Sequence, residues 1–103
     1  MTHEELLNVL EPVGIPWAYE PWGTPPPPPY GVYMDEPDDP FFADDGNYFS
    51  AHRMRLEIYS TVRDPALDAK VKEALAASGI PYETDFDYLE SEALYESIFE
   101  IEV

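Results

Sequence analysis

Between Thr2 and Gly14 the apolar residues Leu6, Leu7, Val9, Leu10 and Val13 recur at helical spacing. The spacing predicts a short helix over 2–11. Thr2 is placed to cap it, and Glu5 three residues later completes a capping box. Glu4 and Glu5 complement the positive end of the helix dipole. Pro12 and Gly14 end the helix. A second helix is predicted over 65–78. Asp64 is its N-cap and Pro65 takes the first position, where a missing N–H costs nothing. Leu67, Val71, Ala74, Leu75 and Ser78 line one face, and Lys70 and Lys72 point away from it. Gly79 supplies a left-handed stop.

Between the helices the period changes from helical to alternating. Trp17–Trp22 reads as a short extended piece, and Tyr30–Met34 reads as a strand. Pro25–Pro29 reads as a polyproline II lead-in at a sheet edge. Asp35–Pro40 is an acidic loop. Phe41-Phe42-Ala43-Asp44, Asp45-Gly46 and Asn47-Tyr48-Phe49-Ser50 together form a hairpin signal. Over Ala51–Thr61 a long strand alternates His52, Met54, Leu56 and Ile58 with Arg53, Arg55, Glu57 and Tyr59. One face of its sheet is therefore wet. After the second helix two further strands are predicted. Over Pro81–Tyr88, Tyr82, Thr84, Phe86 and Tyr88 alternate with Glu83, Asp85 and Asp87. Over Leu94–Val103, Tyr95, Ser97, Phe99, Ile101 and Val103 alternate with Glu96, Glu100 and Glu102. The last strand is expected to offer its edge to another chain.

These elements predict an α+β fold in one domain over 1–103. A mostly antiparallel sheet of four to five strands carries two helices on one face, with a protruding hairpin. The flexible or extended lead-in spans 23–29, and the acidic loop and hairpin span 35–50. The two helix exits read alike, Gly14-Ile15-Pro16-Trp17 and Gly79-Ile80-Pro81-Tyr82. They suggest either a weak internal repeat or common helix-to-strand punctuation.

Charge sharpens this picture. The chain has 103 residues, no cysteine and a formal net charge of −17. Residues 1–52 carry −10, residues 53–72 carry +2, and residues 73–103 carry −9. All five bases, Arg53, Arg55, Arg63, Lys70 and Lys72, lie in the middle block. Without clustered bases elsewhere, the chain is not expected to bind nucleic acid or anionic membranes. The absence of cysteine excludes disulfides, zinc–thiolate sites and thiol catalysis. No apolar run is long enough to span a bilayer, and the N-terminus does not read as a signal peptide. The basic belt either pairs with surface acids of the same chain or meets an acidic patch on an identical neighbour. The second arrangement favours head-to-tail rings.

Candidate chemistry is sparse. His3 and His52 form no zinc-ligand spacing, and no phosphate loop or nucleophile elbow occurs. Asp35, Glu36, Asp38, Asp39, Asp44 and Asp45 crowd before Gly46 but lack the order of a calcium loop. They read as a solvated acidic segment. No catalytic, cofactor-binding or metal-binding residue is predicted, and the chain is not expected to be an enzyme.

The order of several segments resembles the tail-terminator (tail-completion, minor tail or head–tail joining) proteins of tailed bacteriophages and prophages. The matching stretches are Pro28-Pro29-Tyr30-Gly31-Val32-Tyr33, Phe42-Ala43-Asp44-Asp45 and Arg55-Leu56-Glu57-Ile58-Tyr59-Ser60. The helix after Asp64, Gly79-Ile80-Pro81-Tyr82-Glu83 and Leu94-Tyr95-Glu96-Ser97-Ile98-Phe99-Glu100 complete the series. The resemblance implies a non-enzymatic ring, commonly hexameric, at the head-proximal end of a phage tail. Its partners would be copies of itself, the tail-tube protein and the head connector, with DNA passing through the lumen. It implies a location in the virion tail, and in the host cytoplasm during assembly. The five-proline run and the lack of Lys or Arg before Arg53 depart from the group's pattern. Subunit-interface residues are expected among Phe41, Phe42, Asp44, Asp45, Tyr48 and Phe49 of the hairpin and Arg53, Arg55 and Arg63 of the belt. Two other readings stay open: an acidic DNA-mimic inhibitor and a small proline-rich adaptor.

Overall fold

A computed structural model describes residues 1–20, 22–36 and 52–103. Helix α1 (His3–Leu10) continues into a 3-10 turn at Glu11–Val13. Strands β1 (Trp17–Tyr19), β2 (Tyr30–Asp35) and β3 (Arg53–Ser60) follow, then α2 (Pro65–Ala77), β4 (Tyr82–Leu89) and β5 (Leu94–Glu102). The five strands form one sheet in the order β1-β2-β3-β5-β4. Every pairing is antiparallel except β1 with β2. The fold is α+β as expected. The hairpin signal and its residues Phe41, Phe42, Asp44, Asp45, Tyr48 and Phe49 lie outside the described residues.

Both helix starts follow from local chemistry. Thr2 Oγ1 accepts from the Glu5 N–H at 3.1 Å, and the Glu5 carboxylate accepts from the Thr2 N–H at 3.0 Å. The Thr2 backbone bond, then its side chain, holds the Glu5 carboxyl below its ordinary range. Asp64 Oδ1 accepts from the Leu67 N–H at 3.1 Å ahead of Pro65. At the far ends Gly14 and Gly79 adopt φ of +80° and +67°, which a side chain resists. Each exit then leads through Ile and Pro into an edge strand, β1 on one side of the sheet and β4 on the other. The likeness between the exits stops there. β1 runs parallel to its neighbour after a long connection through the prolines, whereas β4 turns back antiparallel in a short hairpin.

The core lies between the helices and the middle of the sheet. Leu6, Leu10 and Val13 meet Leu67, Val71 and Leu75 above Met54, Leu56, Ile58, Phe99 and Ile101. Register explains the set. Leu56 stands opposite Phe99 and Tyr33, and Met54 opposite Ile101, so alternate residues of three strands share the covered face. The same register sends Arg53, Arg55, Glu57, Glu96, Ile98 and Glu100 to the opposite, uncovered face.

One expectation is corrected. The last strand does not offer its edge, because β5 is paired on both sides, by β3 and by β4. Among the described residues the outer strands of the sheet are β4 and β1. The hairpin with β5 places β4 outermost, since β5 fills the antiparallel position beside β3.

Candidate functional site

Among the described residues three surfaces carry chemistry, and each is positioned by the sheet.

The first is the β4 edge. On the helix side its residues Tyr82, Phe86 and Tyr88 stand opposite Ile101, Ser97 and Tyr95. The helices cover the middle of the sheet and leave this row exposed, with Phe86 at 39% and Tyr88 at 43%. Phe86 and Tyr88 both pack on Tyr95, with ring centroids 5.7 Å and 4.7 Å away. The Arg63 guanidinium sits 3.8 Å above the Phe86 ring, a cation–π arrangement. Val62 beside it is also exposed. The strand thus presents an outer edge with a row of aromatic rings, and the N–H groups of Phe86 and Tyr88 on it donate to the side chains of Asp85 and Asp87 at 2.7 Å and 2.8 Å.

The second is the uncovered face of the sheet. Glu83 lies directly opposite Glu100, and Asp87 opposite Glu96. Like charges in such positions repel. Arg53 reaches Glu100 at 3.8 Å, and Arg55 Nε donates to Glu57 Oε2 at 3.0 Å. These pairs place two of the basic-belt residues among acids of the same chain. Glu96 is buried, and burial followed by the nearby Glu57 charge raises its carboxyl above the ordinary range, against the lowering effect of the Tyr59 hydroxyl. Tyr59 donates to Glu57 Oε1 at 3.1 Å, and its own hydroxyl pKa is raised, first by burial and then by Glu96 and Glu57. At the β2 end of this face Trp22, Pro25, Tyr30 and Tyr59 line a shallow depression together with Glu57 and Glu92. Trp22 Nε1 donates to the Gly31 carbonyl at 3.2 Å, which ties the proline segment to the sheet. Pro26 and Pro28 are half-buried, so the run is packed as part of the fold. The Pro28–Pro29 bond is cis.

The third surface is a cluster at one end of the covered face. Asp35 is the last residue of β2 and stands beside the start of β3. His3 reaches it from the first turn of α1, with Nε2 3.3 Å from Oδ1 and 3.2 Å from Oδ2. His52, just before β3, places Nε2 2.5 Å from Oδ1. Tyr19, the last residue of β1, donates to Oδ2 at 2.6 Å. The Tyr19 bond holds the Asp35 carboxyl down at about 2 against burial, the next largest effect, and the weaker bonds from His52 and His3 act in the same direction as Tyr19. The same bond pushes the Tyr19 hydroxyl up to about 12. The rings of Tyr19 and Tyr33 pack on the His3 imidazole, with centroids 4.6 Å and 5.7 Å away.

Sequence spacing gave no sign of this cluster. His3 and His52 are far apart in the chain and meet only because β2 ends where α1 and β3 begin. The alternation over Ala51–Thr61 did place His52 on the face of Met54 and Leu56. The position of His3 over Asp35 required the docking of α1 on the sheet. Of the expected interface residues that are described, Arg53 and Arg55 lie on the acidic face and Arg63 lies at the β4 edge; the three do not form one patch.

Comparison with family models, with curated proteins and with solved structures finds no match to this chain.

Proposed function

We propose that this chain is a structural protein of a tailed phage or prophage, a tail terminator or completion protein that assembles as a ring. The observation that carries the reading is the β4 edge, a strand with one side unpaired among the described residues and a row of exposed aromatic rings. Such an edge is a template for association with another chain. The two sheet edges, β1 and β4, lie on opposite sides of the protomer. A contact between the β4 side of one copy and the β1 side of the next is head-to-tail, and such contacts give rings where the rotation between copies closes. The mostly antiparallel sheet with helices on one face agrees with the fold that the sequence resemblance implies. The acidic face suits a conduit, because a negative lumen repels DNA and lets it slide.

The ring would stop growth of the tail tube and dock the head connector, without enzymatic chemistry. Electron microscopy of tails assembled without this protein tests the role. Overlong tubes, or tubes that fail to join heads, are expected. Tubes of normal length that join heads normally would remove the terminator reading.

A second reading draws on the acidic face alone. The strand alternation gathers Glu83, Asp85 and Asp87 of β4 beside Glu96 and Glu100 of β5, with the aromatic rings on the other side. An acidic face of this kind, interrupted by Ile98 and by Arg53 and Arg55, favours a basic partner, as in a DNA-mimic inhibitor. Binding to a DNA-processing enzyme that duplex DNA displaces would select this reading over the ring.

A further inference from the structure

We propose that His3, Asp35 and His52 form a binding site for a divalent transition-metal ion of the zinc type. Two imidazoles and a carboxylate are a donor set that zinc prefers, and three protein ligands leave a position for water. The candidate ligand atoms of the three residues all lie within 4.8 Å of one another. Bonds of about 2.1 Å in a tetrahedral site separate neighbouring donors by about 3.4 Å. The observed approaches of His3 Nε2 to Asp35, 3.2 Å and 3.3 Å, already match that spacing. His52 Nε2, now 2.5 Å from Oδ1, must move outward by about 1 Å to admit an ion.

The surroundings are those of a supported site. Tyr19 donates to Asp35 Oδ2 at 2.6 Å, an outer hydrogen bond that orients the carboxylate. The Tyr19 and Tyr33 rings confine the His3 imidazole. The backbone of His52 is held where its carbonyl accepts from the Val103 N–H at 2.8 Å. The Arg53 carbonyl next to it accepts from the Glu36 N–H at 3.0 Å. The ligands therefore stand on a helix start and two paired strands. Their side chains are 41%, 33% and 45% exposed, which leaves an open path for an ion. A net charge of −17 concentrates cations around the chain.

Binding exchanges the hydrogen between each imidazole and Asp35 for the ion. A neutral histidine that donates from Nε2 moves that proton to Nδ1 by exchange with solvent, and Nε2 then offers its lone pair. Any proton carried as imidazolium is released to solvent. Softer imidazole donors favour zinc or cobalt over magnesium or calcium, which distinguishes this site from diffuse attraction to surface acids.

The test is a zinc titration of the full chain without an affinity tag, by calorimetry, in excess magnesium. Cobalt absorption serves as a second readout. We expect one ion per chain and a cobalt spectrum typical of nitrogen ligation. His3→Ala, His52→Ala and Asp35→Asn should each weaken zinc binding at least about tenfold, the loss that even an outer partner produces. Tyr19→Phe should weaken it about tenfold. Circular dichroism confirms that each variant is folded. Zinc affinity unchanged in both histidine variants would overturn the site and assign binding to surface acids. So would a wild-type cobalt spectrum with oxygen ligands only, whatever the variants do.

Discussion

Gly31 lies against the indole of Trp17, its register partner on the neighbouring parallel strand. A Cβ on Gly31 would overlap the ring, with Cδ2 only 2.8 Å away. Trp17 fills the covered face at the β1 edge because that position carries no side chain on β2. Gly31→Ala must displace the indole or separate the strands. It should destabilise the fold by about 1–3 kcal/mol, the usual cost of overpacking. Urea unfolding followed by tryptophan fluorescence checks this, and an unchanged midpoint would show that the indole moves freely.

Glu96 sets the sign of the pH dependence near neutrality. Its carboxyl is raised, first by burial, so folding favours its protonated form. Stability should therefore rise as pH falls from neutral through the folded-state value, with the gain complete once pH is below the ordinary value of 4.5. Glu5 is shifted the other way, so its contribution is lost on further acidification below the ordinary range. A stability maximum in mild acid is expected. Glu96→Gln should raise stability at neutral pH by up to about 1 kcal/mol, the scale of a like-charge pair across strands. It should also flatten the rise. Melting temperature measured across pH in both proteins is the check.

Much of this architecture was legible because local signals and burial agree. Asp64-Pro65 marks one helix start and Thr2 with Glu5 the other, and both caps form as hydrogen bonds. Alternation around Leu56 and Phe99 foretold which strand faces are buried. Sheet order was not legible, because alternation fixes a strand's faces but not its neighbours. Among the described residues the outer position therefore fell to β4 rather than to β5. The parallel pairing of β1 was hidden for the same reason. The His3–Asp35–His52 cluster was hidden more deeply, since no spacing along the chain encodes the docking of α1 over the end of β2.

The α2 cap offers a local test of how firmly that helix holds the core. Asp64 accepts the Leu67 N–H, and Leu67 itself is buried against the sheet. Asp64→Ala should cost about 1 kcal/mol, and Asp64→Asn much less, because Asn caps as well. Leu56→Ala, at a fully buried position beneath the same helix, should cost about 2–5 kcal/mol. Thermal denaturation of the three variants orders them. Equal losses for the two Asp64 variants would show that the charge, not the cap, matters there.

Assembly through the β4 edge predicts a separation of stability from association. Phe86 is 39% exposed, and its main partners are Tyr95 and Arg63. Replacing it by Lys adds charge to an edge strand, a common way in which sheets avoid joining. Phe86→Lys should shift the melting temperature little and lower the self-association constant at least tenfold. Arg53→Glu with Arg55→Glu probes the other expected contact, the basic belt. Those arginines already lie beside Glu100 and Glu57 of their own chain, so the double variant should perturb stability more than association. Light scattering over a range of protein and salt concentrations reads both effects. Strong association in Phe86→Lys, with loss of association in the arginine variant, would move the interface from the strand edge to the open face.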